Sequence, residues 1–87
     1  MSGHESLINS IAYNKEIDLL ASASSDKTVK LWKVSAVPNL IKTLSGHKRD
    51  VNSVSFSREG RMLASASSDS TVKLWNCETF EEIKSLN

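Results

Sequence analysis

Leu20-Ala21-Ser22-Ala23-Ser24-Ser25-Asp26, then Lys27, then Thr28-Val29-Lys30-Leu31-Trp32 is the stretch that decides the fold. It returns, with Ser70 in place of Lys27, as Leu63 to Asp69 followed by Thr71-Val72-Lys73-Leu74-Trp75. The offset from Asp26 to Asp69 is 43 positions, and it also relates Gly3-His4 to Gly46-His47 and Asn9-Ser10 to Asn52-Ser53. Near the end of each copy the register slips by one. Ile41-Lys42-Thr43-Leu44 matches Ile83-Lys84-Ser85-Leu86, so the last loop of the second copy is one residue shorter. Self-similarity at this period marks a repeat architecture. The chain reads as two copies of one unit, residues 2–44 and 45–87.

Each unit reads as four short strands. Leu7 to Tyr13 and Val51 to Phe56 are rich in β-branched and aromatic residues and are bounded by turn formers. Gly60, in the loop from Ser57 to Arg61, suits a positive φ, whereas the first copy carries Ile17 there. A β-branched residue resists that conformation, so the first copy is expected to turn differently. Leu19–Ser24 and Met62–Ser67 form second strands of alanine and serine, small enough for close backbone approach in a crowded layer. Tight turns at 25–28 and 68–71 lead to third strands, Thr28 to Val34 and Thr71 to Cys77. Alternation sends Val29 and Leu31 to one face, and Thr28, Lys30 and Trp32 to the other. The fourth strands, Leu40 to Leu44 and Glu82 to Leu86, carry charges suited to an outer edge. No helical periodicity appears, and the expected class is all-β, two four-stranded antiparallel sheets.

Composition narrows the function. With 39% hydrophobic and 24% charged residues the chain is that of a globular protein. Net charge is +1 and the basic residues are scattered, so nucleic acid is not expected as a partner. No apolar segment approaches the ~20 residues of a membrane helix, and no signal peptide is visible at residues 1–5. Cys77 is the single cysteine, which excludes an internal disulfide and fits a reducing compartment: the cytoplasm, with the nucleus as the alternative.

A Gly-His, a strand, L-A-S-x-S-x-D and then T-V-K-L-W resembles the WD-repeat (WD-40) family, whose units are blades of a β-propeller. The resemblance covers essentially the whole chain. His to Asp spans 22 positions in both copies, and Asp to Trp spans six. The second residue of the naming dipeptide departs from the pattern, being Lys33 and Asn76. The resemblance implies a structural hydrogen-bond network in each unit: His4, Ser22, Asp26 and Trp32, and His47, Ser65, Asp69 and Trp75. The chemistry is coherent, since an indole N–H only donates, a hydroxyl donates and accepts, and imidazole bridges to a carboxylate. It also implies a partner-binding rim at Leu7, Asn9 and Ser25, and at Asp50, Asn52 and Ser68. None of these is Trp, Tyr or Arg, the usual anchors of an interface.

Serine, histidine and aspartate invite comparison with a catalytic triad. The set occurs twice, the indole occupies the serine, and no G-x-S-x-G turn accompanies it, so a structural tie is the reading and no enzyme activity is expected. Two histidines and one cysteine have no metal-ligand spacing, and three isolated glycines build no phosphate loop. No metal or cofactor is expected.

Two blades leave two sheet faces bare. A four-stranded face spans roughly 350 Å² from strand spacing and length. If half is apolar, exposing it forgoes on the order of 4 kcal/mol. The expectation is therefore a non-catalytic interaction scaffold that binds other proteins or peptides. Its ring would be completed by self-association of three or four copies, giving six or eight blades, or by further blades in a longer chain. A purely structural assembly module and a regulatory propeller of a larger enzyme are the alternatives. Units that begin before a first strand and stop after a fourth fit either an excerpt or a self-assembling piece.

Overall fold

The computed structural model describes residues 6–34 and 39–86, and among these every regular element is a strand. The strands are β1 (Ile8–Asn14), β2 (Leu19–Ser24), β3 (Val29–Lys33), β4 (Asn39–Leu44), β5 (Val51–Phe56), β6 (Met62–Ser67), β7 (Val72–Asn76) and β8 (Glu82–Leu86). They form two antiparallel sheets, ordered β1-β2-β3-β4 and β5-β6-β7-β8. Each sheet is a simple meander, in which strands that follow one another in sequence pair side by side. The expected strands appear within a residue or two of the anticipated bounds.

The turns follow side-chain chemistry. Gly60 adopts φ 75°, and its N–H donates to the Ser57 carbonyl at 2.9 Å. In the corresponding turn of the first sheet the left-handed residue is Asp18, at φ 54°, one position later, and Asn14 Oδ1 accepts from the Ile17 N–H at 3.2 Å. The asparagine side chain thus supplies the turn acceptor and Ile17 is spared a positive φ. The outermost pairing of each sheet carries a bulge. In the β3–β4 pairing Leu31 faces Lys42 and Trp32 faces Leu40, which leaves Ile41 as a bulge. Leu74 opposite Lys84 and Trp75 opposite Glu82 leave Ile83 in the same role.

The sheets stack face to face. Ala21, Ala23, Val29, Leu31 and Leu44 of the first sheet share one cluster with Val51, Val54, Leu63 and Trp75 of the second. The two alanines are fully buried, and only such small side chains let β2 sit this close to the next sheet. Seam polarity is also satisfied. Asn9 Nδ2 donates to the Val51 carbonyl at 3.0 Å, and Ser10 Oγ accepts from the Val54 N–H at 3.4 Å. Gly60 lies against Asn14, where an added Cβ would stand 3.1 Å from the amide atoms.

The outer faces repeat these side chains without cover. Leu44 is 3% exposed and its counterpart Leu86 is 42% exposed. Val51 and Val54 are 0% and 6% exposed, against 40% and 59% for Ile8 and Ile11. Identical chemistry is core in one place and surface in another, solely because a second sheet is present or absent.

Gly60→Ala should destabilise the chain by about 1–2 kcal/mol, from the left-handed backbone together with the clash on Asn14. Denaturant unfolding followed by tryptophan fluorescence would measure it. An Asn14→Ser background should recover the steric part alone.

Candidate functional site

The polar centre of the second blade is assembled from four places in the chain. β6 supplies Ser65, β7 supplies Trp75, the turn between them supplies Asp69 and Thr71, and the lead-in to β5 supplies His47. Alternation along β6 sends Ser65 to the face carrying Leu63, opposite Ala64 and Ala66. Register then sets Leu63 beside Trp75 and Ser65 beside Lys73. The indole therefore reaches one residue pair along the sheet to the serine.

Trp75 Nε1 donates to Ser65 Oγ at 2.8 Å, and Ser65 Oγ lies 2.7 Å from His47 Nε2. His47 Nδ1 lies 3.2 Å from Asp69 Oδ2. The indole can only donate, so the hydroxyl accepts from it and passes its own hydrogen to Nε2. That assigns the His47 hydrogen to Nδ1, facing the carboxylate. Asp69 Oδ2 also accepts the Lys48 N–H at 2.8 Å, and Oδ1 accepts the Thr71 N–H at 3.0 Å and the Thr71 hydroxyl. Ser65 is fully buried, His47 is 7% exposed and Trp75 is 5% exposed. Among the described residues no buried side-chain polar atom lacks a partner.

In the first blade Trp32 Nε1 donates to Ser22 Oγ at 3.1 Å. Asp26 Oδ1 accepts the Thr28 N–H at 3.0 Å as well as the Thr28 hydroxyl. His4, the remaining member expected there, lies outside the described residues.

The second serine of each A-S-A-S run is equally engaged, and sequence reasoning passed over it. Ser24 Oγ donates to the Leu7 carbonyl at 2.8 Å and accepts the Asp26 N–H at 3.1 Å. Ser67 Oγ does the same with the Asp50 carbonyl at 2.8 Å and the Asp69 N–H at 3.1 Å. Thr28 and Thr71 were missed too. All four recur at the 43-residue offset, and that was the available signal. Asn76, where the naming dipeptide would carry Asp, caps its loop by accepting the Glu78 and Thr79 N–H groups at 2.7 and 3.0 Å. Lys33 instead donates to the Ile17 carbonyl at 3.2 Å.

The rim candidates gather at the end of the sheets where the first strands begin. Leu7 is 75% exposed. Asn9 Nδ2 donates to Ser25 Oγ at 3.1 Å, and Asn52 Nδ2 to Ser68 Oγ at 2.9 Å. Asp50 is exposed, and its carbonyl accepts the Ser68 N–H at 3.0 Å. Near this end a cleft of about 330 Å³ is lined by Gly46, Lys48, Asp69, Thr71, Lys73 and Ser85. Its lining is charged and polar, unlike the apolar wall of a small-molecule site. Lys73 is held there by Glu82 at 3.2 Å. Cys77 is half-buried, and burial pushes its thiol up, which makes thiolate scarce. Among the described residues no group of three or more His, Cys, Asp or Glu is placed to hold a metal ion.

The hydroxyl of Thr71, then the Lys48 N–H, and more weakly His47 and the Thr71 N–H, hold the Asp69 carboxyl far below the usual carboxylate range against the opposing pull of burial. A depressed folded-state value means stability that is complete above the unfolded value, about 3.9, and lost as pH falls through the folded one. The unfolding midpoint of Asp69→Asn should therefore fall less steeply below about pH 4 than that of the parent chain, as thermal melts across acid pH would show. Ser65→Ala should orphan both the indole N–H and His47 Nε2 and cost about 2–4 kcal/mol, while Trp75→Phe, which removes a donor, should cost less. Denaturant midpoints of the two variants give the comparison.

The family described as WD domain, G-beta repeat matches this chain at residues 1–33 and again at 38–76. The Periodic tryptophan protein 2 homolog of Schizosaccharomyces pombe is 36% identical to it over 44 residues. That alignment spans 51% of this chain and 5% of the yeast protein. The first match covers β1 to β3 and the second runs from β4 through β7; with two four-stranded sheets, each carrying an indole tied to a serine, the chain belongs to the WD40 family.

Proposed function

We propose that this chain is a non-catalytic protein-interaction scaffold, a two-blade piece of a β-propeller whose remaining blades come from further copies or from a longer chain. WD40 repeats generally mediate protein–protein interaction, and the observation that carries the reading here is the contrast between a well-packed internal seam and two bare outer faces. Three copies would make six blades and four would make eight.

The Ser65–His47–Asp69 distances resemble those of a hydrolytic triad, but the environment opposes that chemistry. A nucleophile must meet its substrate, and Ser65 is fully buried with an indole N–H on its oxygen. The network's work is to hold the lead-in of the first strand against the turn between the second and third. That fixes the rim, where exposed Leu7, Asp50 and Asn52 are presented to partners.

Asp50→Arg combined with Leu7→Glu should abolish recovery of protein partners in crosslinking and affinity capture, with an unchanged thermal midpoint. If capture survives these changes and responds only to substitutions on the outer sheet faces, the chain is an assembly module without a partner site of its own.

A further inference from the structure

The seam within the chain is a template for a second one. The side of the second blade that faces the first presents Val51, Val54 and Phe56. The equivalent residues of the first blade are Ile8, Ile11 and Tyr13, exposed by 40%, 59% and 52%. The receiving surface is Ala21, Ala23, Val29, Leu31 and Leu44. Its equivalent on the far side of the second blade, Ala64, Ala66, Val72, Leu74 and Leu86, is identical residue for residue, with the first four half-buried and Leu86 exposed where their counterparts are buried. One chain therefore carries both halves of the contact, at opposite ends.

We infer that the occupant of the bare face of the second blade is the first blade of another copy, seated head to tail in the register of the internal seam. This rests on the propeller reading above. The polar groups along the seam favour a copy in that orientation. Asn9 bridges its own Ser25 and the Val51 carbonyl across the seam. Asn52 is held by Ser68 in the same pose, which aims its second N–H where the Ile8 carbonyl of a copy would arrive. Ser53 likewise stands where Ser10 accepts the Val54 N–H, ready for the Ile11 N–H of a copy.

Side-chain size at the turns agrees. Inside the chain, Gly60 is opposed by the larger Asn14, with no room for a Cβ. At the junction between copies the glycine position is Ile17 and the asparagine position is Ser57. Ser57 is smaller, and its Oγ is turned into its own loop to accept the Arg61 and Met62 N–H groups at 3.2 and 3.1 Å. A bulky residue thus meets a small one where a small one met a bulky one. A symmetric contact, first blade to first blade, would set exposed isoleucines against each other and leave Asn52 unused.

Sedimentation and light scattering of the 87-residue chain at high-micromolar concentration should give three or four times its 9.6 kDa mass. Ile11→Glu and Leu74→Glu lie on opposite open faces, and each alone should reduce the mass to that of one chain. Mixed together, they retain one intact pair of faces and should form a one-to-one dimer. Asn52→Ala should weaken association about fivefold, the worth of one hydrogen bond. A parent chain that stays monomeric, folded or not, overturns the inference, as does a mixture that remains monomeric. Either result leaves the scaffold reading standing on blades supplied by a longer chain. Loss of assembly by Ile11→Glu with none by Leu74→Glu would instead show the symmetric contact.

Discussion

A β-sheet that carries alanine, valine and leucine on one face and branched or aromatic side chains on the other needs a neighbour on each side, and the rest of this structure follows from that. Between the blades the need is met. Ala21 and Ala23 contribute little area of their own, but they let the indole of Trp75 and the branched side chains of β5 settle onto the sheet. Larger side chains there would hold the sheets apart and forfeit the dispersion contacts that dense packing gives. Alanine in the second strand is thus a packing device, despite its modest strand preference.

The polar network and the apolar seam meet in the same side chain. Trp75 belongs to the seam cluster by its ring and to the hydrogen-bond chain by its N–H. Ser65 could not be buried at this depth without both an indole above it and an imidazole beside it, because an orphaned hydroxyl in low dielectric is costly. In turn the network ties the segment ahead of β5 to the β6–β7 turn through Asp69, which accepts from the backbone of both Lys48 and Thr71. Packing positions the indole, the indole satisfies the serine, and the serine orients the histidine. Each step needs the one before.

Much of this was legible because repetition is a strong signal. The period, the strand alternation at Val29 and Leu31, and the turn at Gly60 all follow from spacing and side-chain type. The one-residue slip between the copies was visible too, although the bulges at Ile41 and Ile83, beside each tryptophan, were not. Other features escaped for physical reasons. Gly60 packs on Asn14, a pair that no repeat offset connects, so only the stacking of the blades could reveal it. The roles of Ser24 and Ser67 were not legible beyond their recurrence, because their acceptors are backbone carbonyls, which no side-chain type marks. The rim residues are the least legible, since solvent-facing polar groups obey no periodicity.

The crowded second strand was legible, but which copy of a given side chain is covered was not, and the reason bears on assembly. Leu44 and Leu86 occupy equivalent register positions against Val29 and Val72, yet one is core and the other surface. A sequence records what a face offers, and only the neighbour determines whether it is used. When one chain offers both complementary faces, each contact leaves another pair of the same kind bare at the two ends, so pairing alone never exhausts the demand. A head-to-tail contact repeated at one fixed rotation ends only when the rotation closes on itself. The twist of adjacent strands gives each sheet a handed, tapered shape. The side chains at the turns, Gly60 against Asn14 within the chain and Ile17 against Ser57 at the proposed junction, would therefore bear on the angle at which successive blades meet.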